Sequence, residues 1–579
     1  MRGWAHSPSP SYSPSVPDVT TPLHHKRLSS ARFCALLAAL LLVAVALAGR
    51  SLSTPGLYYD EAVQARPAVE FIEGETRAAP LPGSQNLWLG SRPFPWLTQP
   101  YMGALKSQLL IPSLWAFGAN ERVLRATSLA WALAGLALLA FWVRRVYGDA
   151  TALVAVGLLA VDPSFLFLAR HDWGSFSLSF LLRAIALFAT WRWWQSRRPL
   201  ALWIGAFALG LGFYNKIDFA IFTIAAGLAL VICAMRPLWQ ALRSNPGTVA
   251  GALVAFALGL IPLLPGLTAV AAAPFALAGS GELREKFETL QSLLDGSHFH
   301  RLMETGGMFG QLGGVTDAPM GVFGIAAAAS VVGLLVHCAG STHNDSHRRR
   351  LLFLPLATLF SIAGVLALPG AVRIHHAMNI YPFPHLLVAA ALMELAAAGA
   401  AAGRRWLIGL AAALCLLIAA SEIHVFEGTR RAVEDTGGRG RWSDAIHELA
   451  TDLQSDQDSV WSLDWGFQEP LAFLGARGRL REIHWPHIPG SIGFERNQHG
   501  AWRAQGDASR LYLLHLPPYD RSGYGQPFLD AVGELDPQRI EIRRYKDREG
   551  QTAFVTVRIL APHDVAYAGR FRIALRETD

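Results

Sequence analysis

The feature that most constrains this chain is a succession of long apolar runs joined by loops in which every second loop is rich in arginine. The first run, Phe33 to Gly49, is uncharged and follows His24-His25-Lys26-Arg27 and Arg32. Ten further candidate spans fall at about 123–143, 151–169, 175–194, 199–214, 217–235, 248–272, 319–339, 351–369, 379–402 and 405–421. Each is near the roughly 20 residues a helix needs to cross a bilayer core. Arg144-Arg145, Arg192 with Arg197-Arg198, Arg236 with Arg243, Arg348-Arg349-Arg350 and Arg404-Arg405 all lie in alternate loops, on the side of the N-terminus. An excess of Lys and Arg marks cytoplasmic loops. About eleven spans thus put every basic cluster in the cytoplasm and the C-terminal region outside. Segments 104–118 and 260–278 are apolar enough to hide extra or re-entrant segments.

Composition agrees. Hydrophobic residues make up 52% of the chain and charged residues 16%, well below the roughly 25% charged of soluble domains. Lipid is the expected solvent. The net charge of +7 comes from the loop clusters, so it does not argue for a nucleic-acid partner. The cysteines Cys34, Cys233, Cys338 and Cys415 lie in or beside apolar runs without metal-like spacing, which speaks against a disulfide framework or a thiolate zinc site. Heavy use of Ala, Arg, Gly and Leu fits a GC-rich bacterial genome and hence a bacterial inner (plasma) membrane.

Residues 1–31, rich in Ser and Pro, read as a disordered cytoplasmic segment. Ala46-Leu47-Ala48 resembles a signal cleavage site, but the run before it is long and more spans follow, so a retained first helix is expected. Residues 32–421 form the transmembrane region, with outer loops at 50–122 and 273–318. From Glu422 the pattern changes: helices near Arg441–Leu453 and Gln468–Leu474 alternate with strands at Ser459–Leu463, Leu480–His484, Arg510–Leu516, Arg539–Arg544 and Phe554–Ile559. The expectation is an α-helical polytopic membrane protein whose residues 422–579 form an extracytoplasmic α/β domain.

The outward loops gather polar residues while the span interiors are nearly free of charge. They hold Asp60, Glu61 and Lys106; Arg170-His171-Asp172; Asn215-Lys216-Ile217-Asp218; and Arg373-Ile374-His375-His376 with Tyr381. Ionisable groups at membrane depth are costly, so several on one face mark a functional site. A transporter more often places them near the midplane on broken helices.

These residues resemble the C-type (GT-C) glycosyltransferases. The resemblance rests on Asp60-Glu61 after the first span, Asn120-Glu121-x-x-x-Arg125 entering the second, Ala169-Arg170-x-Asp172 at the end of the third, and the Arg373–His376 stretch before Tyr381-Pro382. The bacterial branch with the protein O-mannosyltransferases and the lipid A aminoarabinose transferases is the nearer one. Asp464-Trp465-Gly466 also looks like the outer domain of bacterial members.

The resemblance implies a polyprenyl-phosphate-linked sugar as donor and a glycan, lipid or protein hydroxyl as acceptor, with inversion at the anomeric carbon. The chemistry needs a carboxylate to take the acceptor's proton and cations to stabilise the departing phosphate. Asp60 and Asp172 are the candidate catalytic carboxylates, with Asp60 the base. Glu61, Lys106, Arg170, His171, Lys216, Arg373, His375, His376 and Tyr381 are candidate substrate contacts.

Bland readings stand beside these. Asp60 also reads as a helix N-cap, a role that can coexist with that of base, and Glu61, about 100° further round, as a first-turn residue. Asp172 reads as a partner of Arg170 or His171, Lys216 and Asp218 as an interfacial pair, and Trp461, Trp465 and Trp485 as core or as a sugar platform. The histidines with the carboxylates offer a divalent-ion site that no spacing demands. The family's acidic Glu-Lys-Pro-Pro-type stretch is Gln99-Pro100-Tyr101-Met102-Gly103 here, which weakens a carried-over metal site and the alignment of Lys106. A transporter or flippase of an amphipathic substrate, or a non-catalytic envelope assembly protein, is the alternative function.

Overall fold

The computed structural model describes residues 28–272, 282–306, 318–340, 345–454, 459–476, 479–482, 494–496, 502–504, 510–520, 523, 525–533 and 537–560. Most of the expected N-terminal segment, much of the 273–318 loop and Trp485 lie outside them. Among the described residues nine helices are long and apolar enough to cross a membrane. A bent pair makes a tenth, and Pro199–Asn215 is apolar over 17 residues.

The chain opens with α1 (Ser30–Ala48), then two short helices, α2 (Tyr59–Ala62) and α3 (Arg66–Glu73). A three-stranded antiparallel sheet follows: β1 (Gln85–Leu89), β2 (Arg92–Gln99) and β3 (Met102–Gly103). Then come α4 (Leu105–Phe117), α5 (Glu121–Val146), α6 (Asp149–Leu159), α7 (Pro163–His171), α8 (Phe176–Ser196), α9 (Pro199–Asn215), α10 (Ala220–Arg243), α11 (Pro246–Leu260) and α12 (Leu264–Ala272). The apolar 104–118 segment is thus the 13-residue α4, too short for a bilayer core.

Local chemistry sets these ends. Asn120 caps α5, its side chain accepting from the Val123 N–H at 3.0 Å. Glu121 in the first turn and Arg144-Arg145 in the last suit the helix dipole. The expected single span at 151–169 is instead two helices meeting at 68°. Pro163 cannot continue a helix from the preceding turn, and the Asp162 side chain caps the new one. Gly135 on α5 lets α8 approach closely, since a Cβ there would lie 2.8 Å from the Phe180 ring.

Beyond them lie α13 (Leu283–Leu294), α14 (His298–Thr305), α15 (Phe323–Gly340), α16 (Asp345–Leu366), α17 (Ile374–Ala377), α18 (Phe383–Ala401) and α19 (Arg405–Thr436). The last runs on past the expected end at 421. The main core joins α1, α5, α6, α7, α8 and α18 through residues such as Phe33, Leu136, Phe165, Phe180 and Leu386.

The C-terminal region is mixed α/β, with α20 (Ile446–Gln454), β4 (Ser459–Ser462), α21 (Gln468–Phe473), β5 (Arg479–Glu482), β6 (Phe494–Arg496), β7 (Trp502–Ala504), β8 (Arg510–Leu514), α22 (Gly525–Gly533), β9 (Ile540–Lys546) and β10 (Thr552–Ile559). Five strands form one sheet in the order β5-β4-β8-β10-β9, parallel around β4 and antiparallel around β10. Trp461 packs partly buried against the core of this sheet.

The bundle therefore has two unlike ends. One gathers α2, the turn after α7 and α17. The other gathers Arg144-Arg145 and Arg349-Arg350.

Candidate active site

The site is built around α2. Its first turn carries Asp60 and Glu61, which point to different surroundings. Glu61 faces inward and is buried. Arg125 holds it with two bonds, Nε to Oε2 at 2.8 Å and Nη2 to Oε1 at 2.9 Å. The other guanidinium contacts are the carbonyls of Leu52, Pro55 and Gly56, so Arg125 pins the preceding loop as well. His171 Nδ1 lies 3.5 Å from the same carboxylate. Burial alone would raise the Glu61 pKa, but Arg125 and His171 together outweigh it and hold the carboxyl at about 2. Glu61 thus ties α2 to α5 through Arg125.

Asp60 faces a small cleft and keeps 20% of its side-chain surface open. Burial at the cleft floor raises its pKa to about 6, and the charges of Lys216 and Arg373 only partly oppose this. His375 Nδ1 lies 4.0 Å from Oδ2. The cleft wall is aromatic: Tyr58 stacks on Trp442 at 3.7 Å between centroids, and Trp442 on Trp173 at 4.8 Å. Arg373, His298, Glu285 and Glu288 line the remainder. The cleft encloses about 40 Å³, room for a few water molecules.

Gly174 makes the approach of Lys216 and His375 feasible. Its φ is +61°, and a Cβ would sit 2.9 Å from both Lys216 Nζ and His375 Cδ2. Lys216 pairs with Asp218 at 3.2 Å, and Asn215 beside it bonds Ser175 and Ser179 across the helix ends. Arg373 starts α17, and its backbone N–H donates to His376 Nδ1 at 3.3 Å. The rings of His375 and His376 meet edge to face at 4.2 Å. Burial, then Lys216 and neighbouring charges, keep both imidazoles well below their ordinary pKa, so they are neutral at pH 7.

Five of the expected substrate or catalytic residues sit elsewhere. Asp172 is buried behind the site: Lys106 Nζ lies 3.0 Å from Oδ2, Ser128 donates to the same oxygen, and the Ser177 N–H donates to Oδ1. Asp172 and Lys106 neutralise each other, and Asp172 closes α7 in the left-handed conformation. Arg170 spends its guanidinium on the carbonyls of Arg50, Ser51 and Thr54. His171 is buried against Glu61. The hydroxyl of Tyr381 donates to Asp162 Oδ2 at 2.9 Å, deep in the helix bundle. Asp172, Lys106 and Tyr381 are satisfied by these partners, whereas Arg170 Nε and both His171 ring nitrogens are buried without a hydrogen-bond partner among the described residues. All five hold the loops that frame the cleft rather than lining it.

Several residues were missed. Arg183, inside α8, donates to the carbonyls of Met378 and Tyr381 and to Asn379, fixing the segment that carries Arg373 and His375. An arginine in the middle of an expected span was a readable signal. Trp173 and Tyr58 adjoined the motifs, but Trp442 and His298 carried no local sign. The C-terminal region reaches the site through Trp465, whose ring lies 4.1 Å from Tyr59, beside Asp464, which Arg441 and His515 hold.

Among the described residues no group of three or more His, Cys, Asp or Glu has metal-holding geometry. Asp60 and His375 approach each other, but the third neighbours are the cations Lys216 and Arg373.

A bundle of this span pattern, with its polar loops at one end and an α/β C-terminal region, is the fold of the C-type polytopic membrane glycosyltransferases. Residues 109–264 match the family model described as dolichyl-phosphate-mannose-protein mannosyltransferase. The chain is similar in structure to ArnT from Cupriavidus metallidurans bound to undecaprenyl phosphate, at 12% identity and a TM-score of 0.54, over 92% of this chain and 99% of that one. It is similar to the same protein in the apo state at 11% identity and a TM-score of 0.53, over 91% and 97%. No curated protein matches the chain in sequence.

Proposed function

We propose that the protein transfers a sugar from a polyprenyl-phosphate donor to an acceptor hydroxyl at the Asp60 end of the bundle, which faces out of the cytoplasm. The observation that carries this reading is Asp60: a partly open carboxylate on an aromatic-walled cleft, with Arg373 and Lys216 close enough to lower its pKa. A base with a pKa of about 6 is ionised at neutral pH and retains affinity for a proton. Asp60 takes the acceptor proton as the oxygen attacks the anomeric carbon. Arg373 and Lys216 stabilise the phosphate as it leaves, and this single displacement inverts the centre. The fold similarity to a protein solved with undecaprenyl phosphate supports the donor class.

Asp162 and Arg183, buried inside the bundle, are bonded to neighbours and line neither of the two cavities described. That favours the enzyme over a transporter. The cleft at about 40 Å³ is too small for a sugar ring, so donor binding must widen it.

The test is transfer from a polyprenyl-phosphate hexose by purified protein in lipid vesicles. The rate should rise with pH through about 6, as Asp60 ionises, and should survive exhaustive chelation. Failure to consume any such donor would sink the reading. A phosphatase reporter fused after residue 430 should be active outside the cytoplasm, and a cytoplasmic signal would overturn the orientation.

A further inference from the structure

At the opposite end of the bundle lies a much larger cavity, enclosing about 1470 Å³ between α8 and α10, the ends of α5 and α16, and α18. Its position follows from α5, which touches Glu61 through Arg125 and reaches the cavity at Arg144. Nineteen residues at 1.5 Å each separate the two points by about 28 Å, roughly a bilayer core. The mouth at Arg144 is therefore remote from Asp60, while the body runs along α10 as far as Phe222.

The mouth is basic. Arg144, Arg145, Arg349 and Arg350 line it with His347, against Asp149 and Glu394. Both carboxylates are already engaged: Asp149 by Arg144 at 2.8 Å and by the Leu28 N–H, Glu394 by His347 at 3.4 Å. Arg350 donates to the carbonyls of Ser346 and Val146, which carry no net charge. Arg145 and Arg349 are exposed at the lip. Four arginines against two carboxylates leave the lining of the mouth net positive.

The body is apolar, walled by residues such as Leu187, Ala226, Leu230 and Phe353. One polar group there lacks a partner. Trp193 is 1% exposed, lines the cavity, and its indole N–H has no acceptor among the described residues. A buried donor without an acceptor is costly.

A basic mouth over an apolar body, with a spare buried N–H between, fits an amphiphile with an anionic head. We propose that this cavity holds an anionic phospholipid of the adjoining leaflet, its phosphate at Arg145 and Arg349 and its chains along α8 and α10. Basic pockets between helices on the cytoplasmic side take such head groups. Only the naming of that leaflet rests on the orientation proposed above; the cavity chemistry does not.

The test uses full-length protein in a neutral detergent, with phosphatidylglycerol, phosphatidylcholine and undecaprenyl phosphate as probes, read by native mass spectrometry and by thermal shift. Phosphatidylglycerol should be retained in preference to the other two and should raise the unfolding temperature. Each arginine at the surface is worth about fivefold, so Arg145→Gln with Arg349→Gln should weaken retention about 25-fold. The matching Lys variants should restore most of it. Trp193→Phe should weaken it several-fold.

If the double variant does not fold, Arg145→Gln alone carries the test, because that side chain is exposed. Equal retention of phosphatidylglycerol and phosphatidylcholine would overturn the proposal, as would preference for undecaprenyl phosphate or indifference to the arginine changes. None of these readouts requires sugar transfer, so their failure leaves the catalytic reading standing.

Discussion

The two sides of α2 present neighbouring carboxylates with opposite fates. Glu61, turned toward Arg125, is held at about 2. Asp60, turned toward the cleft, is pushed to about 6. One residue of helix rotation, about 100°, separates them. Burial acts on both in the same direction, so the difference comes from what each faces. Glu61 meets a guanidinium in bidentate geometry, which converts burial into a tight anchor. Asp60 meets cations at longer range, which leaves its proton exchangeable. The same division recurs behind the site, where Asp172 and Lys106 quench each other. A carboxylate near cations is therefore not yet a catalytic group; it becomes one where the cations do not close on it.

The comparison is broken most severely by removing an anchor. Glu61→Ala strands Arg125 in the interior, and Asp172→Ala strands Lys106. Each should cost about 3 to 5 kcal/mol, seen as loss of folded protein or a large fall in unfolding temperature in detergent. If either variant kept wild-type stability, the anchoring role would be wrong.

Asp60→Asn should do the reverse. A carboxyl whose folded pKa lies above its unfolded value loses stability as pH rises between the two, from 3.8 to about 6 here. The asparagine variant should thus be more stable than wild type above pH 6, by up to about 3 kcal/mol, with the gap vanishing below pH 4. Glu61 runs the other way. Its stabilisation is complete above 4.5 and is lost only as pH falls toward about 2.

Arg373→Gln removes a cation that lines the cleft. It should lower transfer about 100-fold while the unfolding temperature changes little. An equal effect on folding would make Arg373 an anchor like Arg125. Smallest of all, Trp465→Phe should change stability and rate only a few-fold, because the ring contact with Tyr59 is kept.

Much of this was legible in the chain because it follows from local rules. Apolar runs and alternate arginines mark the spans, and the period of the C-terminal strands marks the α/β region. The separation of Asp60 from Glu61 follows from helix rotation alone. Other features needed tertiary knowledge. Lys106 and Asp172 are 66 residues apart, and nothing near either one announces the pair. Asp162-Pro163 does announce the break between α6 and α7, yet an apolar window on both sides hides it. β2 escaped because Pro93 and Pro95 argue against a strand in a central position. The sheet tolerates them because β3 pairs only with Leu97 and Gln99, so Pro93 and Pro95 have a neighbouring strand on one side alone.

The account rests on Asp60 being the base. Sugar transfer by Asp60→Asn, measured in vesicles beside its unfolding temperature, tests this most directly. Loss of about 100- to 10,000-fold in rate, with an unfolding temperature equal to or above wild type, is the result expected. Turnover within a few-fold of wild type by a folded Asp60→Asn protein would contradict it.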